Sequence, residues 1–181
     1  MKIIRVDSLA SDRMEASLMA DSCIRPDRRP LFLPDHPVEG IEWLCEIRPA
    51  IRIARLGKAI SEKFAGRYYS EFALVNYLNP GNVGCVRYDM MDDAVVQGPW
   101  SSIDLMPESV TVENTSTVAA ISLDRSVVDS LIESLSIDTT FKTGDVIILP
   151  DVLASYTPQP NLSVSVTGSS PDQQLLNFTI K

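Results

Sequence analysis

The most regular alternation of apolar and polar positions in the chain is Ile47-Arg48-Pro49-Ala50-Ile51-Arg52-Ile53-Ala54. A period of two predicts a strand with one face buried, and Leu56-Gly57-Lys58 predicts the turn that ends it. Ser61 is a good N-cap with Glu62 in the first turn, and Phe64, Ala65, Tyr68 and Tyr69 share one face at helical spacing, which predicts a helix directly after that turn. The apolar run Phe72 to Leu78 predicts a second strand, stopped by Asn79-Pro80-Gly81.

Around this unit the pattern is mostly that of strands. Lys2 to Val6 predicts a first strand, and Ser8 would cap a helix to about Ala20 with Leu9, Met14, Leu18 and Met19 as its apolar stripe. Pro26, Pro30, Pro34 and Pro37 then impose an extended path in which Leu31-Phe32-Leu33 is the one strand candidate. Val83 to Val86, Trp100 to Met106 and Val110 to Ile121 predict β segments, with turns at Asn79 to Asn82, Pro107-Glu108 and Asn114-Thr115. Ser122 opens a helix whose Val127, Val128, Leu131, Ile132 and Leu135 form a core-facing stripe, opposite Asp124, Arg125, Asp129 and Glu133. Strands Asp145 to Leu149, Leu162 to Val166 and Leu175 to Ile180 complete the chain, with a loop at Pro158 and Pro160 and a turn at Gly168 to Asp172. The fold class expected is α+β, a β-rich mixed sheet or roll with two or three helices, in one domain spanning 1–181.

Composition narrows the function classes. The 181 residues are 45% apolar and 22% charged, a soluble globular mixture, and the formal charge of −8 argues against nucleic-acid or anionic-membrane partners. The one basic run, Arg25, Arg28 and Arg29, is diluted by Asp21 and Asp27 and reads as a solvated loop. Cys23, Cys45 and Cys85 have neither disulfide nor zinc-site spacing, which fits a reducing cytoplasm. The interrupted start, Met1 to Asp7, gives no signal peptide, and nothing later has the length of a membrane span.

Two local features invite chemistry without specifying it. The single histidine, His36, lies between Asp35 and Pro37 with no nucleophile elbow anywhere, so it reads as a loop residue and not a triad base. Asp89, Asp92 and Asp93 crowd together, but at spacings unlike a calcium loop, and read as a solvated acidic turn.

The order Glu46, then Ile51-Arg52-Ile53-Ala54-Arg55-Leu56-Gly57-Lys58, then Ser61-Glu62-Lys63-Phe64-Ala65-Gly66-Arg67-Tyr68-Tyr69 and an apolar strand is similar to the core of the bacterial fumarylacetoacetate hydrolase family. Phe141 to Pro150 resembles that family's late strand and loop, Leu175 to Lys181 its terminal strand, and Asp92 to Trp100 an intervening segment. The resemblance implies a fold, a tendency to dimerise, with Trp43 and Trp100 as exposed-looking aromatics, and a hard cation such as Mg²⁺ held by three carboxylates to stabilise enolate-like charge.

Carried over residue by residue, the implied site is altered. Its first carboxylate falls on Glu46, its second on Arg48 and its third on Tyr77, with Asn76 the nearest substitute. The family's lysine falls on Tyr88 or Arg87, its Gly-Thr-Pro loop on Leu149-Pro150-Asp151, and its catalytic histidine has no counterpart between Val6 and Arg29. Glu46 and Arg48 point to one face of a strand, where the guanidinium supplies the charge an ion would have supplied. The reading is of a non-catalytic relative with no metal and no catalytic residues, serving as scaffold, subunit or small-molecule binder. Glu46, Arg48 and Tyr77 would line its pocket, a small carboxylate would be its ligand, and a second copy or another protein its partner. The alternative is an Mg²⁺- or Mn²⁺-dependent hydrolase, isomerase or decarboxylase of acylpyruvate-like or β-keto acids with altered site residues.

Overall fold

The computed structural model describes residues 1–10, 13–34, 41–81, 88–113, 117–121, 123–170 and 172–181. Its first strands, β1 (Ile3–Ala10) and β2 (Arg13–Met19), form an antiparallel hairpin where the sequence predicts a helix from Ser8. The helical stripe is sparse, with four large apolar residues between Ser8 and Ala20 set at uneven spacing. Strand pairing satisfies the backbone through a ladder with a bulge between Val6 and Ser8, and of the four stripe residues Met19 alone is buried. A short β3 (Ile24–Pro26) follows.

Next come β4 (Leu44–Ile53), the helical turn α1 (Glu62–Ala65) and β5 (Tyr69–Asn79). The predicted helix shrinks to one turn because Gly66 becomes its C-cap and Tyr69 already begins β5. Ser61 does sit at the N-cap, though its side chain makes no capping bond. The chain continues through β6 (Val95–Gln97), β7 (Ser101–Ser102), a 3-10 turn at Ile103–Leu105, β8 (Ser109–Val112) and β9 (Thr117–Ala120). The second helix, α2 (Arg125–Asp138), is capped by Asp124, whose carboxylate accepts from the Ser126 N–H. Then β10 (Val146–Ile148), β11 (Ala154–Tyr156), β12 (Ser163–Thr167) and β13 (Gln174–Thr179) complete it. Leu31 makes an isolated parallel bridge to Ile180 in place of the expected strand. Val83 to Val86, the Asn114-Thr115 turn and Ser122 lie outside the described residues.

The large mixed sheet runs β2-β1-β10-β4-β5-β6-β3, and the small antiparallel one β13-β12-β8-β9. β4 is buried on both faces and not, as its alternation suggests, on one. Ile47, Leu74, Leu78 and Val96 on one face pack against Val112, Val164, Leu176 and Phe178 of the small sheet. Nearer the sheet's other edge, Ile4, Val6, Ile51 and Ile147 meet Val128, Leu131 and Ile132 of α2. The reverse face gathers Ile3, Ala50, Val75, Tyr77, Val95 and Ile148 into a third cluster. That reverse face is concave. The Arg5 side chain on β1 touches Tyr77 on β5, three strands away, a separation of about 14 Å in a flat sheet at the usual strand spacing.

Gly98 lies against both sheets: a Cβ there would lie 1.9 Å from the Leu175 carbonyl oxygen and 3.2 Å from that of Leu74. Both obstacles are backbone, so neither can yield cheaply. Gly98→Ala is expected to cost about 3 kcal/mol in urea unfolding, whereas Gly66→Ala, whose Cβ would come no nearer than 3.8 Å to a carboxylate oxygen of Asp129, should be neutral or slightly stabilising.

Candidate functional site

The concave face carries charges as well as apolar residues. Glu46 and Tyr77 are directly paired across β4 and β5, and Arg48 lies two residues further along, so the structure brings the three sequence-predicted positions onto one surface. All three are buried.

The Glu46 carboxylate is fully engaged. Oε2 accepts from Arg48 Nε at 2.8 Å and lies 2.7 Å from Nη2, while Oε1 accepts from Asn79 Nδ2 at 2.8 Å. The remaining terminal nitrogen of Arg48, Nη1, donates to the Val6 carbonyl oxygen of β1 at 3.1 Å. The pair therefore satisfies itself and also ties β4 to the first hairpin.

Tyr77 is held by a residue that sequence reasoning missed. Arg5 Nη1 donates to the Tyr77 hydroxyl, and the guanidinium carbon sits 4.7 Å from the ring centroid. Arg5 also donates from Nη1 to Asp89 at 2.6 Å, from Nε to Asp7 at 2.7 Å, and from Nη2 to Asp7 at 3.2 Å and to the Ser17 hydroxyl at 3.3 Å. Each of its five N–H groups has an acceptor. Burial disfavours the Arg5 charge, but hydrogen bonding to Asp7 and attraction to Tyr77, Asp7 and Asp89 outweigh it and hold its pKa above the ordinary value. Tyr77 itself is pushed up to about 12, chiefly by burial, with Asp89, Asp7 and Glu46 adding to the shift and Arg5 opposing it. It is a neutral phenol at physiological pH.

Several expectations change. Asp89 is buried against Arg5 and is no solvated turn residue, while Asp92 and Asp93 are exposed. Asn76, the nearest substitute for a third carboxylate, projects from the opposite face of β5: its amide accepts from Tyr156 at 2.8 Å and donates to Cys45 Sγ at 3.5 Å. Arg25 is buried beside Phe32 and 3.4 Å from Asp93, not in a solvated loop. Trp43 is half-buried against the core between the two sheets, and Trp100 is half-buried beneath Arg52, whose guanidinium carbon is 5.0 Å from its ring, so neither is a bare surface aromatic. Cys23 and Cys45 are free thiols, pushed up by burial to about 12 and about 11. His36, Cys85, Arg87 and the Tyr88 side chain lie outside the described residues.

Among the described residues no three Asp, Glu, His or Cys side chains are arranged to hold a metal ion. The donor set around Glu46 does not fit a hard divalent cation: one carboxylate with both oxygens taken, one fixed positive charge and one protonated phenol. No described helix is long and apolar enough to cross a membrane.

Comparison with solved structures identifies this architecture. The chain superposes over 99% of its length on 78% of the 5-carboxymethyl-2-hydroxymuconate delta-isomerase of Mycobacterium smegmatis, with a TM-score of 0.78 and 20% identity. It superposes equally completely on 73% of the 2-hydroxyhepta-2,4-diene-1,7-dioate isomerase of Mycobacterium marinum, at 0.77 and 20%. A Yersinia pestis protein assigned to the fumarylacetoacetate hydrolase family matches over 93% of its own length at 0.77 and 14%. No family model and no curated protein matches the sequence. The fold is that of the fumarylacetoacetate hydrolase family, as the sequence resemblance implied.

Removing one member of the Glu46–Arg48 pair leaves a buried charge without its partner. Arg48→Ala is expected to destabilise the protein by about 3–5 kcal/mol in urea unfolding, and Glu46→Gln/Arg48→Met, which removes both charges, by clearly less. The Tyr77 phenol holds its proton more tightly folded than unfolded, so its contribution is intact below pH 10 and lost as pH rises towards 12. Tyr77→Phe should therefore show a shallower fall in stability over that range in unfolding titrations.

Proposed function

We propose that this chain is a non-catalytic protein of the fumarylacetoacetate hydrolase fold, acting as a scaffold or subunit. The observation that carries this reading is the Arg48 guanidinium seated on Glu46, 2.7 Å from Oε2, at the position where the resemblance puts a cation between carboxylates. A metal-assisted reaction on a keto acid needs a Lewis acid to take up developing enolate charge, and a cation approaching Glu46 would meet the positive guanidinium of Arg48. The phenol of Tyr77 offers no negative ligand to offset that repulsion.

The same geometry favours a scaffold over a receptor for small carboxylates. Both arginines direct their guanidinium nitrogens to acceptors within the protein, leaving neither with a fork turned towards a ligand. Binding a carboxylate at Arg48 would require breaking a buried ion pair, and at Arg5 it would have to displace Asp7 or Asp89.

The test is a calorimetric titration of the unaltered protein with MnCl₂, followed by an acylpyruvate hydrolysis assay with and without the metal. Neither binding in the micromolar range nor metal-dependent turnover is expected. Either result would overturn the proposal and favour an altered metal-dependent hydrolase, isomerase or decarboxylase.

A further inference from the structure

We propose that Arg5 is a specificity-determining residue in its own right: it bars a divalent cation from the Tyr77 end of the cluster, independently of Arg48. The inference deepens the non-catalytic reading and rests on it. Arg48 on β4 brings one guanidinium to the site. The structure places a second there, delivered by β1 from the other side of the concave face.

Three observations fix the role of Arg5. Its guanidinium lies over the Tyr77 ring as well as at the hydroxyl, so it covers the space between Tyr77 and Asp89, not only the phenol tip. It is anchored on the far side by Asp7 and Ser17, which hold it facing inwards. The charge count agrees: two guanidinium groups stand among the carboxylates of Asp7, Glu46 and Asp89, giving the same net −1 that three carboxylates around one divalent cation would carry. The two arginines divide between them the charge of one ion. Each is fixed by a different set of acceptors, so removing one leaves the other in place.

This changes the outcome of the obvious reconstruction. Arg48→Glu/Tyr77→Asp rebuilds three carboxylates on β4 and β5, but the carboxylate introduced at position 77 lies under Arg5 and pairs with it. That double variant should not bind Mn²⁺ in the micromolar range, whereas Arg5→Gln/Arg48→Glu/Tyr77→Asp should bind it at least tenfold more tightly. Calorimetry with MnCl₂ alone, on protein shown to be folded by circular dichroism, makes the comparison. Equal affinities, whether both variants bind or neither does, would overturn the role of Arg5.

A metal-free cycle decides the matter if those variants do not fold. Tyr77→Asp and Tyr77→Asn are compared in urea unfolding, each with and without Arg5→Gln. The aspartate should be favoured over the asparagine by at least tenfold more in the unfolding constant when Arg5 is present, and the absence of that coupling counts against the proposal. Mn²⁺ binding by the unaltered chain would instead sink the non-catalytic reading, so the two failures are told apart.

Discussion

Charges brought to the concave face of a curled sheet must be completely paired, because the desolvation penalty of even one isolated ion is several kcal/mol and comparable to the stability of a whole domain. That constraint shapes much of this molecule. Arg48 needs the Val6 carbonyl as well as Glu46, and Arg5 needs Asp7, Ser17, Tyr77 and Asp89. Satisfying both sets places the β1–β2 hairpin over β4 and β5. The 3-10 turn at Tyr88–Met90 is drawn in through Asp89, and the Asp89 carbonyl oxygen in turn accepts from the Ala20 N–H at the end of β2. Apolar burial holds the outer layers together through the small sheet and α2, but the charges dictate how the inner face closes.

A different ionic device secures the start of β10. Asp145 is wholly buried and accepts from the backbone N–H groups of Lys2 at 2.7 Å and Lys142 at 2.8 Å, with the Lys2 ammonium 3.0 Å away. Burial raises its pKa, but these donors outweigh burial and hold the group below the usual carboxylate range. The β1–β10 pairing thus begins at a fixed charge, and its parallel register follows from there.

Much of this architecture is legible in the sequence where local pattern and tertiary environment agree. The strands at β5, β12 and β13 alternate or run apolar as they pack, and α2 buries Val128, Leu131 and Ile132 of its expected stripe. Legibility fails where the environment overrides local preference. Residues 8–10 and 13–19 have a weak helical pattern, but a strand partner and the hydrogen bonding of Asp7 and Ser17 decide for β structure. At the site, Glu46 and Arg48 are readable because they lie two apart on one strand. Arg5 is not, because its partners Tyr77 and Asp89 are 72 and 84 residues away and no local spacing encodes their meeting. A signal does exist in the placement of Arg5 and Asp7 two apart on the first strand, two charges in an otherwise apolar segment.

The two faces of β5 carry different polar chemistries: Tyr77 joins the ionic cluster, while its neighbour Asn76 binds Tyr156 and Cys45 among the residues between the sheets. Side chains alternate along a strand, so sliding β4 or β5 by one residue would exchange these faces. Arg48 would then enter the apolar layer now filled by Ile47, and Asn76 would face Arg5 in place of a phenol. A mispaired sheet of this composition strands charge in hydrocarbon, so the ionic cluster also encodes the strand alignment during folding.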